Sequence, residues 1–134
     1  MKSSKTLSGL VTAALAASAI ALSAPTASAA LPFDPTFTPA SADLVGVGSD
    51  TTEISMHYLA EGFEGTPGFN EGRTTGRIAS FQAGGGGEIT IPGGTTITRP
   101  NGSGAGKGRL YGANNLPEID FARSSSGLND AERA

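Results

Sequence analysis

The sequence predicts an α/β fold with room for a parallel sheet. Its candidate elements run strand, helix, strand or hairpin, helix, strand, an order in which helical spacing alternates with short apolar runs. Two of those runs, 43–47 and 119–122, lead into turns rich in Ser. Behind the first 29 residues lie 105 residues with 19 glycines and only 20 Leu, Ile, Val or Phe, about one fifth, the level at which a packed core becomes hard to build. Ordering each glycine adds backbone entropy cost, so the chain reads as a loop-rich or incomplete α/β unit.

Lys2 and Lys5 give a positive start, and residues 7–22 form an Ala/Leu/Val/Ile-rich run too short and small-sided to span a bilayer. Ala27-Ser28-Ala29 completes the pattern of a Sec-type signal peptide over residues 1–29, with cleavage expected after Ala29. No cap or polar face accompanies the run, which argues against an N-terminal helix of the mature fold. Such a chain is expected to be secreted, periplasmic or at the cell surface. With no cysteine it has neither a disulfide framework nor a cysteine-linked lipid anchor. Setting aside Lys2 and Lys5 leaves seven Lys and Arg against twelve Asp and Glu, a net charge of −5, which argues against nucleic acid as a partner and against a bulk electrostatic trap for anions.

Pro32, Pro35 and Pro39 exclude a helix or a central strand from 31–42, so residues 30–42 are expected to be an extended Pro-rich linker. A short strand follows over 43–47 and ends in Gly48-Ser49-Asp50-Thr51-Thr52. Ile54, Tyr58 and Leu59 then recur at helical spacing, Asp50 with Glu53 resembles a capping box, and Gly62 is a helix stop. Four glycines and a proline make 65–76 a loop, and 77–83, with Ile78 and Phe81 among small or polar residues, is a weak strand. The glycine run 84–87 reads as a mobile loop tip, because no Lys-Ser or Lys-Thr follows it. Residues 88–91 and 95–99 can pair as a hairpin across Pro92-Gly93-Gly94. Residues 104–114 have the length of a short helix and 119–122 that of a strand. The chain then ends at Ala134 without a closing element, as an incomplete domain would.

Several catalytic or nucleotide motifs are approached and missed. A phosphate-binding loop over 102–108 needs Gly where Asn101 stands and Ser or Thr where Gly108 stands. Gly46-Val47-Gly48 opens like a dinucleotide fingerprint, but Thr51 occupies the place of its third glycine. A nucleophile elbow requires Gly on both sides of Ser103, where Asn101 and Ala105 stand two residues away. His57, the one histidine, falls in mid-helix and reads as a structural residue rather than a general base. Without a second His or any Cys, a zinc site is not expected. What remains is two turns, Ser49-Asp50-Thr51-Thr52 and Gly102-Ser103-Gly104, at predicted helix starts. Amides there need acceptors, so such turns can hold an anion, with ordinary water-facing N-caps as the plainer alternative.

Taken in order, Leu44-Val45-Gly46-Val47-Gly48-Ser49-Asp50-Thr51-Thr52, Arg99-Pro100-Asn101-Gly102-Ser103-Gly104-Ala105-Gly106 and Ile119-Asp120-Phe121-Ala122-Arg123-Ser124-Ser125 resemble the phosphate-binding proteins of bacterial ABC phosphate importers. The likeness covers most of residues 43–126 and is greatest to secreted actinobacterial-type members. It implies a two-lobed periplasmic-binding-protein-like fold, of which residues 43–134 would be the incomplete N-terminal part of the first substrate-binding lobe. It further implies a monomeric receptor, not an enzyme and without cofactor, that captures inorganic phosphate or a similar oxyanion and delivers it to an ABC permease at the membrane. On this resemblance Asp50 and Thr51 belong to the first ligand turn, Ser103 to the second and Ser125 to the third, all as hydrogen-bonding groups rather than charges. The family's third turn usually carries an aspartate that accepts the proton of hydrogen phosphate, and Ser125 stands in its place. Arg123 adjoins that turn, where it could lend positive charge, but it reads rather as an exposed surface arginine. Arg99, held extended by Pro100, reads as the end of a strand. The competing expectation is a secreted surface or adhesion protein on the same scaffold, which would suit the acidic charge and the glycine run. A phosphatase or hydrolase is disfavoured, because one His and no Cys do not assemble a nucleophile, base and metal site.

Overall fold

The structure is a computed structural model in which residues 31–133 are described, so the predicted signal peptide, 1–29, lies outside the described residues. Along the chain run β1 (Leu44–Gly48), α1 (Glu53–Glu61), the two-residue strands β2 (Gly62–Phe63) and β3 (Thr66–Pro67), β4 (Ile78–Ser80), β5 (Glu88–Thr90), β6 (Thr96–Thr98), α2 (Ser103–Lys107) and β7 (Phe121–Arg123). The class is mixed α/β, with one parallel sheet and two antiparallel ribbons. Among the described residues no helix is long and apolar enough to cross a membrane.

The parallel sheet has the order β4-β1-β7. β1 is central, pairing Val45 with Ala79 on one side and Val47 with Ala122 on the other. A strand with neighbours on both edges has its ladder groups satisfied, and its residues are buried from Val45 to Gly48. Val45, Val47, Ala79, Phe81, Ile89, Ile91 and Ile119 form the core, with Phe37, Ile97 and Leu116 packed against it. Each fully buried Val or Ile here contributes about 1.5–3 kcal/mol relative to exposure. Gly46 is part of this packing, because the Phe121 ring lies where a side chain on residue 46 would project.

The hairpin predicted over 88–99 is present, with Glu88 opposite Thr98 and Ile89 opposite Ile97, turning through Pro92–Gly94. Gly62 ends α1 as predicted, with φ 94° and its N–H donating to the Tyr58 carbonyl. Directly after it, β2 and β3 form an unanticipated short hairpin around Glu64 (φ 47°) and Gly65 (φ 81°). Two positive φ values in a two-residue loop match the twist of paired strands, which explains why the region predicted as loop contains this ribbon.

Three expectations are corrected. The helix predicted over 104–114 is only Ser103–Lys107, followed by a turn and a single 3-10 turn at Gly112–Asn114. Gly104, Gly106, Gly108 and Gly112 carry too little helix propensity to prolong it, and Gly112 has φ 70°. The capping box at Asp50 and Glu53 is not formed. Thr52 is the N-cap and makes no side-chain cap bond, while the Glu53 carboxylate accepts the Ala83 N–H at 2.7 Å. Nor does α1 bury its predicted apolar stripe: only Ala60 is buried, whereas Ile54, Tyr58 and Leu59 are exposed.

The proline-rich segment has no helix or strand, but it is docked on the body rather than hanging free. Asp34 is buried and holds Arg99, also buried, in a bidentate pair at 2.6 and 2.8 Å. The guanidinium also donates to the carbonyls of Gln82 and Gly86, so Arg99 fastens the glycine run 84–87 as well. Arg99 thus does more than end a strand. A second clasp joins Asp43 to the Arg77 side chain at 2.9 Å and to the amides of Ala40 and Arg77. Burial alone would raise the Asp34 and Asp43 carboxyls, but their arginine and amide donors outweigh it and hold both below the usual carboxylate value.

Two outcomes are expected from these clasps. Arg99→Met leaves the Asp34 carboxylate buried without its partner and should cost about 3–5 kcal/mol in urea unfolding, whereas the double replacement Asp34→Leu with Arg99→Met should cost less than the single one. Because both carboxyls titrate lower in the folded than in the unfolded chain, their stabilisation is complete above the unfolded value, about 4, and is lost as pH falls through the lower folded values. A urea midpoint that rises on acidification below about pH 4 would contradict this.

Candidate functional site

At the C-terminal edge of the parallel sheet, three turns meet. β1 leaves the sheet at Gly48 and β7 at Arg123, and the Ser49 N–H donates to the Arg123 carbonyl at 3.0 Å. The segment entering α2 adds a third backbone: Asn101 bridges to Gly48, and the Gly102 N–H donates to the Gly48 carbonyl at 3.2 Å. This approach requires glycine. A Cβ on Gly106 would lie 2.6 Å from the Gly48 Cα, and one on Gly48, whose φ is 123°, would run into the Arg123 carbonyl.

The consequence is a group of three hydroxyls from segments far apart in sequence. Ser49 Oγ donates to Ser125 Oγ at 3.3 Å, and Ser103 Oγ lies 3.4 Å from Ser125 Oγ while accepting the Ser125 N–H at 3.1 Å. Ser49 is only 1% exposed, Ser103 is half-buried and Ser125 is open to solvent, so the group runs from the sheet edge to the surface. Chain connectivity makes this a special place. From β1 the chain crosses to β4 on one side, whereas β7 lies on the other, so the crevice at the ends of β1 and β7 is where the strand order reverses. In open parallel sheets that crevice is the usual ligand position.

Beneath the hydroxyls lies Arg123, 4% exposed, which corrects its reading as a surface arginine. Its guanidinium donates to the carbonyls of Ser49 at 3.1 Å and Phe81 at 2.6 Å and to the Ser80 hydroxyl. Among the described residues no carboxylate bonds it. Burial lowers its pKa, partly offset by the charges of Glu53 and Asp34, but an arginine so far from neutrality stays charged. On the outer side, the half-buried cluster around Lys107 holds the third turn: its Nζ reaches Ser126 Oγ at 3.3 Å, the Gly127 carbonyl at 3.0 Å and Glu132 Oε2 at 2.7 Å. The Lys107 hydrogen bond holds the Glu132 carboxyl below its usual value.

Of the sequence-predicted contacts, Ser103 and Ser125 are brought together. Asp50 and Thr51 are not part of the group: both are exposed, and Asp50 Oδ1 accepts the Thr51 N–H at 2.8 Å and faces its hydroxyl at 3.4 Å within their own turn. Ser49, one residue earlier, is the member of the first turn that points into the site. The signal for it was available, since the residue just beyond a buried parallel strand lies at the crevice. Thr52 Oγ1, in the same turn, is a buried polar atom with no hydrogen-bond partner among the described residues.

The group is chemically a set of neutral donors and acceptors rather than a catalytic triad. Among the described residues His57 hydrogen-bonds none of the serines, and its ring lies 5.2 Å from that of Phe33 and 5.7 Å from that of Tyr58. Among the described residues no three His, Asp or Glu side chains gather to hold a metal ion. No family model, curated protein or solved structure matches this chain.

Gly106→Ala tests the glycine contact on which the group depends. The added methyl should displace α2 from β1 and cost about 1–3 kcal/mol in thermal or urea unfolding, whereas Gly104→Ala, where the space is open, should be neutral or stabilising. Equal effects of the two substitutions would mean that the approach of α2 to Gly48 is not constraining.

Proposed function

We propose that this chain carries anion-binding turns of one lobe of an extracytoplasmic solute-binding protein, which captures phosphate or a similar tetrahedral oxyanion for an ABC importer. The single observation that carries this reading is the convergence of the Ser49, Ser103 and Ser125 hydroxyls at the reversal point of a parallel sheet. Hydroxyls can turn their protons outward to an anion, so a site built from neutral donors binds charge without needing a basic surface. That agrees with the acidic net charge of the chain. The resemblance of the three turns to phosphate-binding proteins, and the export pattern over 1–29, supply the remaining parts: a two-lobed fold closing about a hinge, and delivery to a membrane permease. The proposed role is binding rather than catalysis; among the described residues no His, Lys or carboxylate side chain is hydrogen-bonded to the three hydroxyls.

A second reading rests on a different observation. Ile54, Tyr58, Leu59 and Phe63 are exposed on and just after α1, with the Tyr58 and Phe63 rings 4.4 Å apart, and an exposed apolar group of this kind favours a surface protein that meets a macromolecule.

Phosphate titration followed by amide NMR shifts separates the two. Because Ser103 and Ser125 face solvent, the expected affinity is weak, with Kd in the range of about 0.1–10 mM and shifts confined to residues around 49, 103 and 125. Ser103→Ala should weaken binding about fivefold, the worth of one hydrogen bond of about 1 kcal/mol. Absence of saturable shifts at these residues would remove the phosphate reading.

A further inference from the structure

The hydrogen-bond partners around the three serines determine which oxyanions such a site can tell apart. Discrimination between hydrogen phosphate and sulfate needs a group that only accepts, since it bonds the phosphate proton but faces a bare, lone-pair-bearing oxygen of sulfate. The usual such group is a carboxylate. Among the described residues none of the three hydroxyls is bonded to one. The nearby carboxylates are engaged elsewhere: Glu53 on the Ala83 N–H, Asp34 on Arg99, Asp120 on the Val45 N–H, Glu132 on Lys107, and Asp50 on Thr51. The Arg123 guanidinium donates to the Ser49 and Phe81 carbonyls and to the Ser80 hydroxyl, and among the described residues no carboxylate bonds it. A serine hydroxyl rotates to donate or to accept, so Ser49, Ser103 and Ser125 satisfy a bare oxyanion oxygen and a protonated one equally well.

Resting on the oxyanion reading above, we infer that this site does not distinguish protonated from fully ionised tetrahedral oxyanions and takes sulfate as readily as phosphate. The side chain at position 125 decides this. It is exposed and stands against both other hydroxyls, so a carboxylate placed there would face any bound anion.

The test is a pair of titrations of the full chain, with sulfate and with phosphate at neutral pH, read by the NMR shifts of residues near 49, 103 and 125. The expected result is mutual displacement, with the two dissociation constants within about threefold of each other. Phosphate bound about tenfold or more tightly than sulfate overturns this inference while leaving the oxyanion reading intact. Failure of both anions to bind overturns the two together. Ser125→Asp, checked for an unchanged urea midpoint, should raise the ratio of the sulfate to the phosphate dissociation constant about tenfold or more, whatever it does to either affinity alone, and Ser125→Asn should leave that ratio near one. A correctly folded Ser125→Asp variant in which that ratio stays at the parental value would also overturn it. The comparison of the two anions on the unmodified chain decides the matter even where the aspartate variant fails to fold.

Discussion

The buried guanidinium of Arg123 ties together the ends of all three parallel strands. It sits on the last residue of β7, bonds the Ser49 carbonyl just past β1, and bonds Ser80 and the Phe81 carbonyl at the end of β4. Where strands leave a sheet, their carbonyls lose ladder partners, and buried ones must find donors elsewhere. A guanidinium offers five N–H groups in a rigid plane, so one side chain serves three segments at once. Desolvating a charge this deeply is unfavourable, and it is offset here by carbonyl and hydroxyl acceptors and by the more distant charges of Glu53 and Asp34. The serine group lies directly on this clasp, so the geometry of the site and the integrity of the sheet edge have the same source.

A second constraint works through missing atoms. Gly48 and Gly106 bring α2 against β1 closely enough for the Gly102 amide to reach the Gly48 carbonyl, and Ser103 is the first residue of the helix placed there. Glycine weakens α2 as a helix and at the same time makes its position possible. The short helix and the close approach are thus two results of one composition. The Asp34–Arg99 pair fastens the proline-rich segment and the glycine run to the same body. A chain with few large apolar residues therefore holds its edges with buried ionic and hydrogen-bonded clasps, which give less freedom in geometry than apolar contacts do.

This construction also bears on function. On the oxyanion reading proposed above, the hydroxyls would draw an anion locally, and the acidic surface would not cancel that attraction, because solvent screens charges beyond roughly 10 Å. On the same reading Ser125, which accepts and donates where a carboxylate could only accept, would bear on selectivity more than on affinity.

Local features were legible in the sequence. The alternation of apolar runs and turns marked β1, the 88–99 hairpin and β7 to within a few residues, and Gly62 marked the end of α1, because these depend on dihedral preferences and spacing within a few positions. The mixed α/β class followed from their order. Tertiary structure alone decided which groups meet across the chain. It placed Ser49 rather than Asp50 in the serine group, buried Arg99 and Arg123, docked the proline-rich segment through Asp34, and turned Ile54, Tyr58 and Leu59 outward. Partners separated by 65 to 76 positions leave no periodic trace in a single sequence. A charged side chain, moreover, looks the same on the page whether it faces water or is desolvated among carbonyls, and only the packing of the strand ends determines which it is.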